Sequence, residues 1–215
     1  MLSSSPATPS STAATSTAVG TAAAAATTLS SDNPQQDENQ QCQGPTGLTP
    51  EDPIPITWFK IYSPGFYPTP IQVGDHYYDR DDDSQHLPHG EPIGISENYR
   101  PYIGKLLQLD PIERGPNADR FRAVLERYGF DWTGLQADHV QDLQWGGDDA
   151  FNNLWPLDAS ANLSAGPRQN DFQIVTFCDS PTGTIRTMTL RQMKGAVGST
   201  SQYYGRWFVI TNITI

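Results

Sequence analysis

Residues 1–57 contain no Phe, Tyr or Trp and no Lys or Arg; the first basic residue of the 215-residue chain is Lys60. All eight Phe, nine Tyr and five Trp therefore lie beyond that segment. Residues 3–31 are almost wholly Ser, Thr, Ala and Pro, and residues 32–53 form a Gln/Asp/Pro/Gly stretch that ends in Pro50 and Pro53. Without large apolar side chains such a segment cannot offset its ordering entropy, about 1–2 kcal/mol per residue for the backbone. Residues 1–53 are accordingly expected to be a disordered tail. Residues 54–215 have the size of one folded domain, within the usual range of roughly 100–200 residues.

Cysteine is scarce too. With only Cys42 and Cys178, four-Cys zinc sites are excluded by count and a disulfide framework is not expected. A pair between the two is open, but joining a tail residue to a strand interior is the less favoured arrangement. The start lacks the basic residues of a signal peptide, and its most apolar run, Ala22–Ala26, is too short for a signal core. No run approaches 18 apolar residues, so no transmembrane helix and no membrane association are expected. The expected location is the cytoplasm of the producing cell, with any export by a specialised route.

Charge is uneven. Against 13 Lys and Arg stand 24 Asp and Glu, a net charge of −11. Five of the acidic residues (Asp32, Asp37, Glu38, Glu51, Asp52) and none of the basic ones precede Lys60, so the tail carries −5 and the domain −6. Residues 159–215 reverse the sign, with Arg168, Arg186, Arg191, Lys194 and Arg206 against Asp171 and Asp179. A basic face on an acidic body leaves phosphate binding open.

Within the domain, Ile54 to Phe66 clusters Ile56, Trp58, Phe59, Ile61 and Tyr62 before Pro64-Gly65, which predicts a strand or short helix and then a turn. Residues 74–94 read as a polar, acidic loop. There His86 and His89 flank the Asp81-Asp82-Asp83 run; a solvated loop is favoured over a second metal site. Phe121, Leu125 and Tyr128 recur at helical spacing, predicting a helix over Ala118–Tyr128 capped by Asn117 and closed by Gly129. Phe172–Phe177 and Thr184–Leu190 read as strands joined by the turn Ser180-Pro181-Thr182-Gly183, and Tyr203–Ile215 as a further strand.

One segment, residues 137–170, concentrates chemistry: ADHVQDLQWGGDDAFNNLWPLDASANLSAGPRQN. Asp138-His139 ends an apolar stretch and Gly146-Gly147 opens a loop. Asn153-Leu154 enters a second strand, and Asp158 can cap a helix bearing Asn162, giving the order strand, loop, strand, helix. An imidazole with an ordinary pKa near ~6.5 can take a proton from water at neutral pH, and carboxylate and amide oxygens suit a hard cation such as Mg²⁺. Trp145 and Trp155 are expected to pack in the hairpin core, with base stacking as the less favoured role.

Asp138, His139, Gly146, Gly147, Asn153, Leu154, Leu157 and Asn162 together resemble the pattern of the HNH nucleases, in the endonuclease VII-like branch of the ββα-metal fold. The wording DLQWGG, NLWPLD and SANLSAG resembles nuclease toxin domains of bacterial polymorphic toxins and of cargo carried by contractile injection systems. The likeness covers about 80 residues, from Leu135 to the C terminus, with its motif core at 135–170, and leaves residues 54–116 without a role. It implies an α+β domain built on a ββα-metal hairpin and helix with flanking strands and helices. His139 would be the general base, Asn153 the brace that orients it, and Asp138 and Asn162 the ligands of a divalent ion, Mg²⁺ foremost, with Mn²⁺, Ni²⁺ or Zn²⁺ as alternatives. Arg168, just after the motif helix, is the candidate phosphate-binding residue. The slots where many members carry cysteines for a structural zinc are here Asp158 and Ala161, so that clip is absent, and Asn162 stands where many carry His.

The expected activity is metal-dependent endonucleolytic hydrolysis of DNA, with RNA as the alternative substrate and little sequence specificity, in a toxin or effector delivered to target cells. The partners implied are DNA, an injection apparatus engaging the tail, and an immunity protein. Two other readings compete. One is a degenerate HNH domain that binds nucleic acid without cutting; the other is a non-enzymatic interaction protein docked to a carrier.

Overall fold

The computed structural model describes residues 42–180, 182–195 and 201–214. The disorder expected of the tail over residues 1–41 lies outside the described residues. The domain is α+β, with few, short helices and several small sheets.

The first strand, β1 (Ile54–Trp58), alternates buried Ile54, Ile56 and Trp58 with more exposed neighbours. It lies at the edge of a three-stranded sheet, parallel to the central strand β9 (Trp207–Ile213), whose other side carries antiparallel β4 (Leu106–Gln108). An edge position tolerates Pro55, which has no N–H to donate. A short hairpin, β2 (Ile71–Val73) and β3 (His76–Tyr78), opens the segment expected to be loop. Asp81, Asp82 and Asp83 are all exposed, as expected of a solvated loop, and Asp81 in addition receives hydrogen bonds from Arg80 and Tyr62.

The helix α1 spans Asn117–Arg127 and buries Ala118, Phe121, Val124 and Leu125, as its periodicity requires. Its expected cap is corrected. Pro116 is the capping residue, and Asn117 begins the helix with its side chain donating to the Asp149 carbonyl. Gly129 follows at φ 82°, the left-handed geometry that closes a helix without a Cβ penalty.

Next come β5 (Leu135–His139) and β6 (Leu154–Asp158), an antiparallel pair in the register Asp138↔Trp155 and His139↔Leu154, and then α2 (Ala159–Pro167). Asp158 caps α2 as expected, its Oδ1 accepting from the Ala161 N–H at 2.9 Å. Hydrogen bonds from Ser160 and the Ala161 backbone hold its carboxyl below the ordinary range. The strands expected after residue 170 are present as β7 (Ile174–Asp179) and β8 (Thr184–Thr189), paired with each other, followed by the short helix α3 (Leu190–Lys194).

Among the described residues two apolar cores result. One gathers α1, β5 and β6 around Tyr67, Ile93, Phe121, Leu154, Trp155 and Leu157. The other gathers the three-stranded sheet, β7 and α3 around Trp58, Trp145, Phe177, Phe208 and Met193. The loop between β5 and β6 joins them, because Val140 packs in the first core and Trp145 in the second. Trp145 and Trp155 are both fully buried, the packing role expected of them, so neither is available for base stacking.

The disfavoured cysteine pair is present: Cys42 and Cys178 form a disulfide, with Cα atoms 5.8 Å apart. Residues 42–53, assigned on composition to the tail, belong to the folded unit. Pro45 O accepts from Cys178 N, Gly47 O accepts from Trp207 N, and Asp52 takes both the backbone and the hydroxyl of Thr46. Backbone pairing and a covalent bond, not apolar side chains, hold this segment, which is why its composition was misleading.

Candidate functional site

The two residues that end β5 sit at the edge of the first core. Asp138 and His139 are each 7% exposed, and both line a cavity of about 300 Å³. Lys60, Arg114, Asp142, Gln144, Asn162 and Asn170 share its wall. Asp138, His139 and Asn162, separated by up to 24 positions, are thus brought together by the return of the chain through β6 into α2.

The conformation of the intervening loop follows from its residues. Gly146 has φ 69°, and a Cβ on Gly147 would stand 2.0 Å from Gln141 O, so both turns of the Gly-Gly pair need glycine. Asn153, wholly buried, braces the loop through three hydrogen bonds. Its Oδ1 accepts from Gln141 N at 2.9 Å, and its Nδ2 donates to Gln141 O and Asp148 O, each at 2.9 Å. Val140 N also donates to Asn153 O, fixing the residue next to His139. Asn153 therefore reaches His139 through the backbone and not by side-chain contact.

His139 Nε2 lies 2.8 Å from Asp149 Oδ1. A carboxylate only accepts, so the shared hydrogen belongs to Nε2 and the lone pair of a neutral ring is left on Nδ1. Asp149 is itself fixed. Its Oδ2 accepts from Asn117 N, the first N–H of α1, and a Cβ on Gly115 would stand 2.3 Å from that oxygen. A helix N-terminus favours negative charge, which suits Asp149 to its place beside the imidazole. The motif did not mark Asp149 among its acidic neighbours; only the packing of α1 against this loop selects it.

Asp138 has a different partner. Both of its oxygens lie 2.9 Å from Lys60 Nζ, and Tyr67 donates to Oδ2 at 2.9 Å. Burial pushes the Asp138 carboxyl up, and Lys60 opposes this. Burial alone would lower the Lys60 ammonium, but Asp138 and Asp142 outweigh it and hold the group above its ordinary value. Burial, with the nearby carboxylates, also pushes the Tyr67 hydroxyl up, so it remains a donor.

Asn162 donates from Nδ2 to Gln136 Oε1 at 2.9 Å. Its Oδ1 accepts no hydrogen bond among the described residues. The set expected for a divalent ion is thus half engaged: the amide oxygen of Asn162 is free, while the carboxylate of Asp138 already serves an ammonium and a phenol. Among the described residues no three His, Cys, Asp or Glu side chains stand where they could hold a metal ion, His86 and His89 included. The residues present do not fit a divalent ion at Asp138.

Arg168 is half-buried at the end of α2 and does not line the cavity. Besides Lys60, the basic group on the wall is Arg114, which sequence reasoning passed over because it lies outside the motif. Lys194 stands behind the wall, its Nζ donating to Gln144 Oε1 at 2.7 Å and Asn170 Oδ1 at 2.6 Å. Burial and the nearby Arg191 lower its pKa. No helix among the described residues is long and apolar enough to cross a membrane. In comparison with known proteins, the chain matches no family model, no curated protein and no solved structure.

Proposed function

We propose that this chain is an endonuclease, a phosphodiester hydrolase acting on DNA with little sequence specificity, and that its strand, loop, strand and helix over residues 135–167 act as a ββα nuclease core. The observation that carries the reading is His139. Its Nε2 is committed to Asp149, and the residue lines a polar cavity that Arg114 also lines. In this reading Nδ1 takes a proton from water as the oxygen attacks phosphorus. The P–O bond to the leaving oxygen breaks, that oxygen gains a proton from solvent, and the strand ends in a phosphate monoester and a hydroxyl. Arg114 offers bidentate hydrogen bonding to phosphate oxygens at the cavity wall, the role first expected of Arg168.

The divalent ion implied by the likeness to HNH nucleases would supply Lewis-acid stabilisation of the phosphate charge. No step is assigned to it, because Asp138 is engaged elsewhere. Delivery as a toxin through an injection apparatus, and neutralisation by an immunity protein, complete the proposal. The Cys42–Cys178 disulfide suits a protein exposed to an oxidising compartment.

The test is plasmid nicking by the full chain with Mg²⁺ or Mn²⁺, beside RNA substrates. Nicking that His139→Ala abolishes while the circular dichroism spectrum is unchanged supports the proposal; equal cleavage by that variant removes His139 from the mechanism. A second reading, nucleic-acid binding without cutting, is favoured by a feature that departs from a metal nuclease, the ammonium on Asp138. Salt-dependent binding to DNA with no turnover under any divalent ion would select it.

A further inference from the structure

Lys60 lies two residues beyond β1, in the stretch Trp58-Phe59-Lys60-Ile61-Tyr62, and crosses from the second core to the end of β5. Four oxygens surround its Nζ: Asp138 Oδ1 and Oδ2 at 2.9 Å, Asp142 Oδ1 at 2.5 Å and His139 O at 3.4 Å. Its side chain is 6% exposed, those of Asp138 and Asp142 9% and 25%. An ammonium has three hydrogens, so this shell leaves none over for a phosphate. The group is directed wholly at the carboxylates.

Lys60 and Tyr67 take three of the roughly four lone pairs of Asp138, so a hard divalent ion, bound at about 2.0–2.6 Å, would be confined to Oδ1 on the flank of the ammonium. With Nζ at 2.9 Å from both oxygens, an ion there would stand beside the ammonium and repel it. Expelling the ammonium would leave a buried cation without its partners, among the costliest changes a protein interior can undergo. We infer that Lys60 is the cation of this site: Asp138 and Asp142 hold its ammonium, and Asp138 is not a metal ligand in the native protein. Lys60 thereby also fixes the backbone carbonyl of His139, joining the first strand to the proposed base. The inference stands on the geometry of Lys60; only its consequence for catalysis rests on the nuclease reading. Any divalent ion used in that reaction is held by other groups or arrives with the substrate.

The test uses Mn²⁺ alone and the full-length chain without nucleic acid, so it is decided separately from nicking. Mn²⁺ binding is followed by the electron paramagnetic resonance of the free ion. Native protein and Asp138→Asn are expected to bind Mn²⁺ alike, within threefold. Lys60→Met, which leaves two carboxylates facing an uncharged thioether, is expected to bind at least tenfold more tightly than the native chain, and adding Asp138→Asn removes the gain. A loss of threefold or more on Asp138→Asn alone overturns the inference, as does a folded Lys60→Met that binds no better than the native chain. Should Lys60→Met fail to fold, crystals of the native protein soaked in MnCl₂ decide. An anomalous peak against Asp138 refutes the inference, and none there supports it. Loss or retention of nicking in His139→Ala reports on the hydrolase reading independently.

Discussion

Asn153→Ala removes a side chain that is wholly buried and makes three hydrogen bonds within one loop. Each bond contributes about 1 kcal/mol net, and part of the desolvation penalty of the three stranded backbone groups adds to that, so the expected loss is about 3–4 kcal/mol. That is a large share of the roughly 5–15 kcal/mol typical of a folded domain. With a urea slope of about 2 kcal/mol per molar, the unfolding midpoint should fall by about 1.5–2 M. Tryptophan fluorescence is the natural probe, because Trp145 lies in the braced loop and Trp155 on the paired strand. Asn153→Asp separates bonding from volume. It keeps an acceptor for Gln141 N but turns an oxygen toward Gln141 O and Asp148 O, so its loss should equal or exceed that of Ala. A midpoint shift below about 0.5 M for both variants, at unchanged slope, would mean that water replaces the brace and would refute the reasoning.

Asp149→Asn keeps the size of the side chain but can donate to His139 Nε2, moving the ring hydrogen to Nδ1. Nicking should fall by two orders of magnitude or more, as expected when a base holds the wrong tautomer, with the urea midpoint little changed. Among the described residues Lys105 donates only to the carbonyls of Asn98 and Arg100, and burial holds its pKa down to about 8 against an ordinary 10.5. Between those two pH values the unfolded chain binds a proton that the native one releases, so stability should rise with pH through this window. Below pH 8 both states are protonated and the penalty is fully present. Lys105→Met should flatten the rise, which after allowance for partial exposure amounts to about 1–2 kcal/mol between urea melts at pH 8 and pH 10. Dithiothreitol should lower the stability of the native chain by about 2–4 kcal/mol, since the Cys42–Cys178 bond closes a long loop. It should leave the Cys42→Ser/Cys178→Ser double variant unaffected.

What was legible in the sequence was local. Gly146-Gly147 and the Asp158 cap are statements about neighbours in the chain, and each is met in the fold; the turn expected at 180–183 includes Pro181, which lies outside the described residues. The motif also named Asp138, His139 and Asn162, which share one cavity. Arg168 failed to reach the cavity because nearness along a helix says nothing about which way a long side chain leaves it. Asp149 was passed over because nothing local separates it from Asp148. Composition likewise gave no sign that residues 42–53 are held by backbone pairing and a disulfide.

The amino-acid sequence by itself determined which segments turn, which bury a face, and where an imidazole stands beside a carboxylate, because those properties depend on spacings of a few residues. Only the tertiary structure decided the partners of those two groups. Lys60 reaches Asp138 across 78 positions, and α1 brings Asn117 to Asp149 across 32. The charge that a buried carboxylate keeps, and the cation that answers it, depend on what the fold packs within about 3 Å, a distance that separation along the chain does not set.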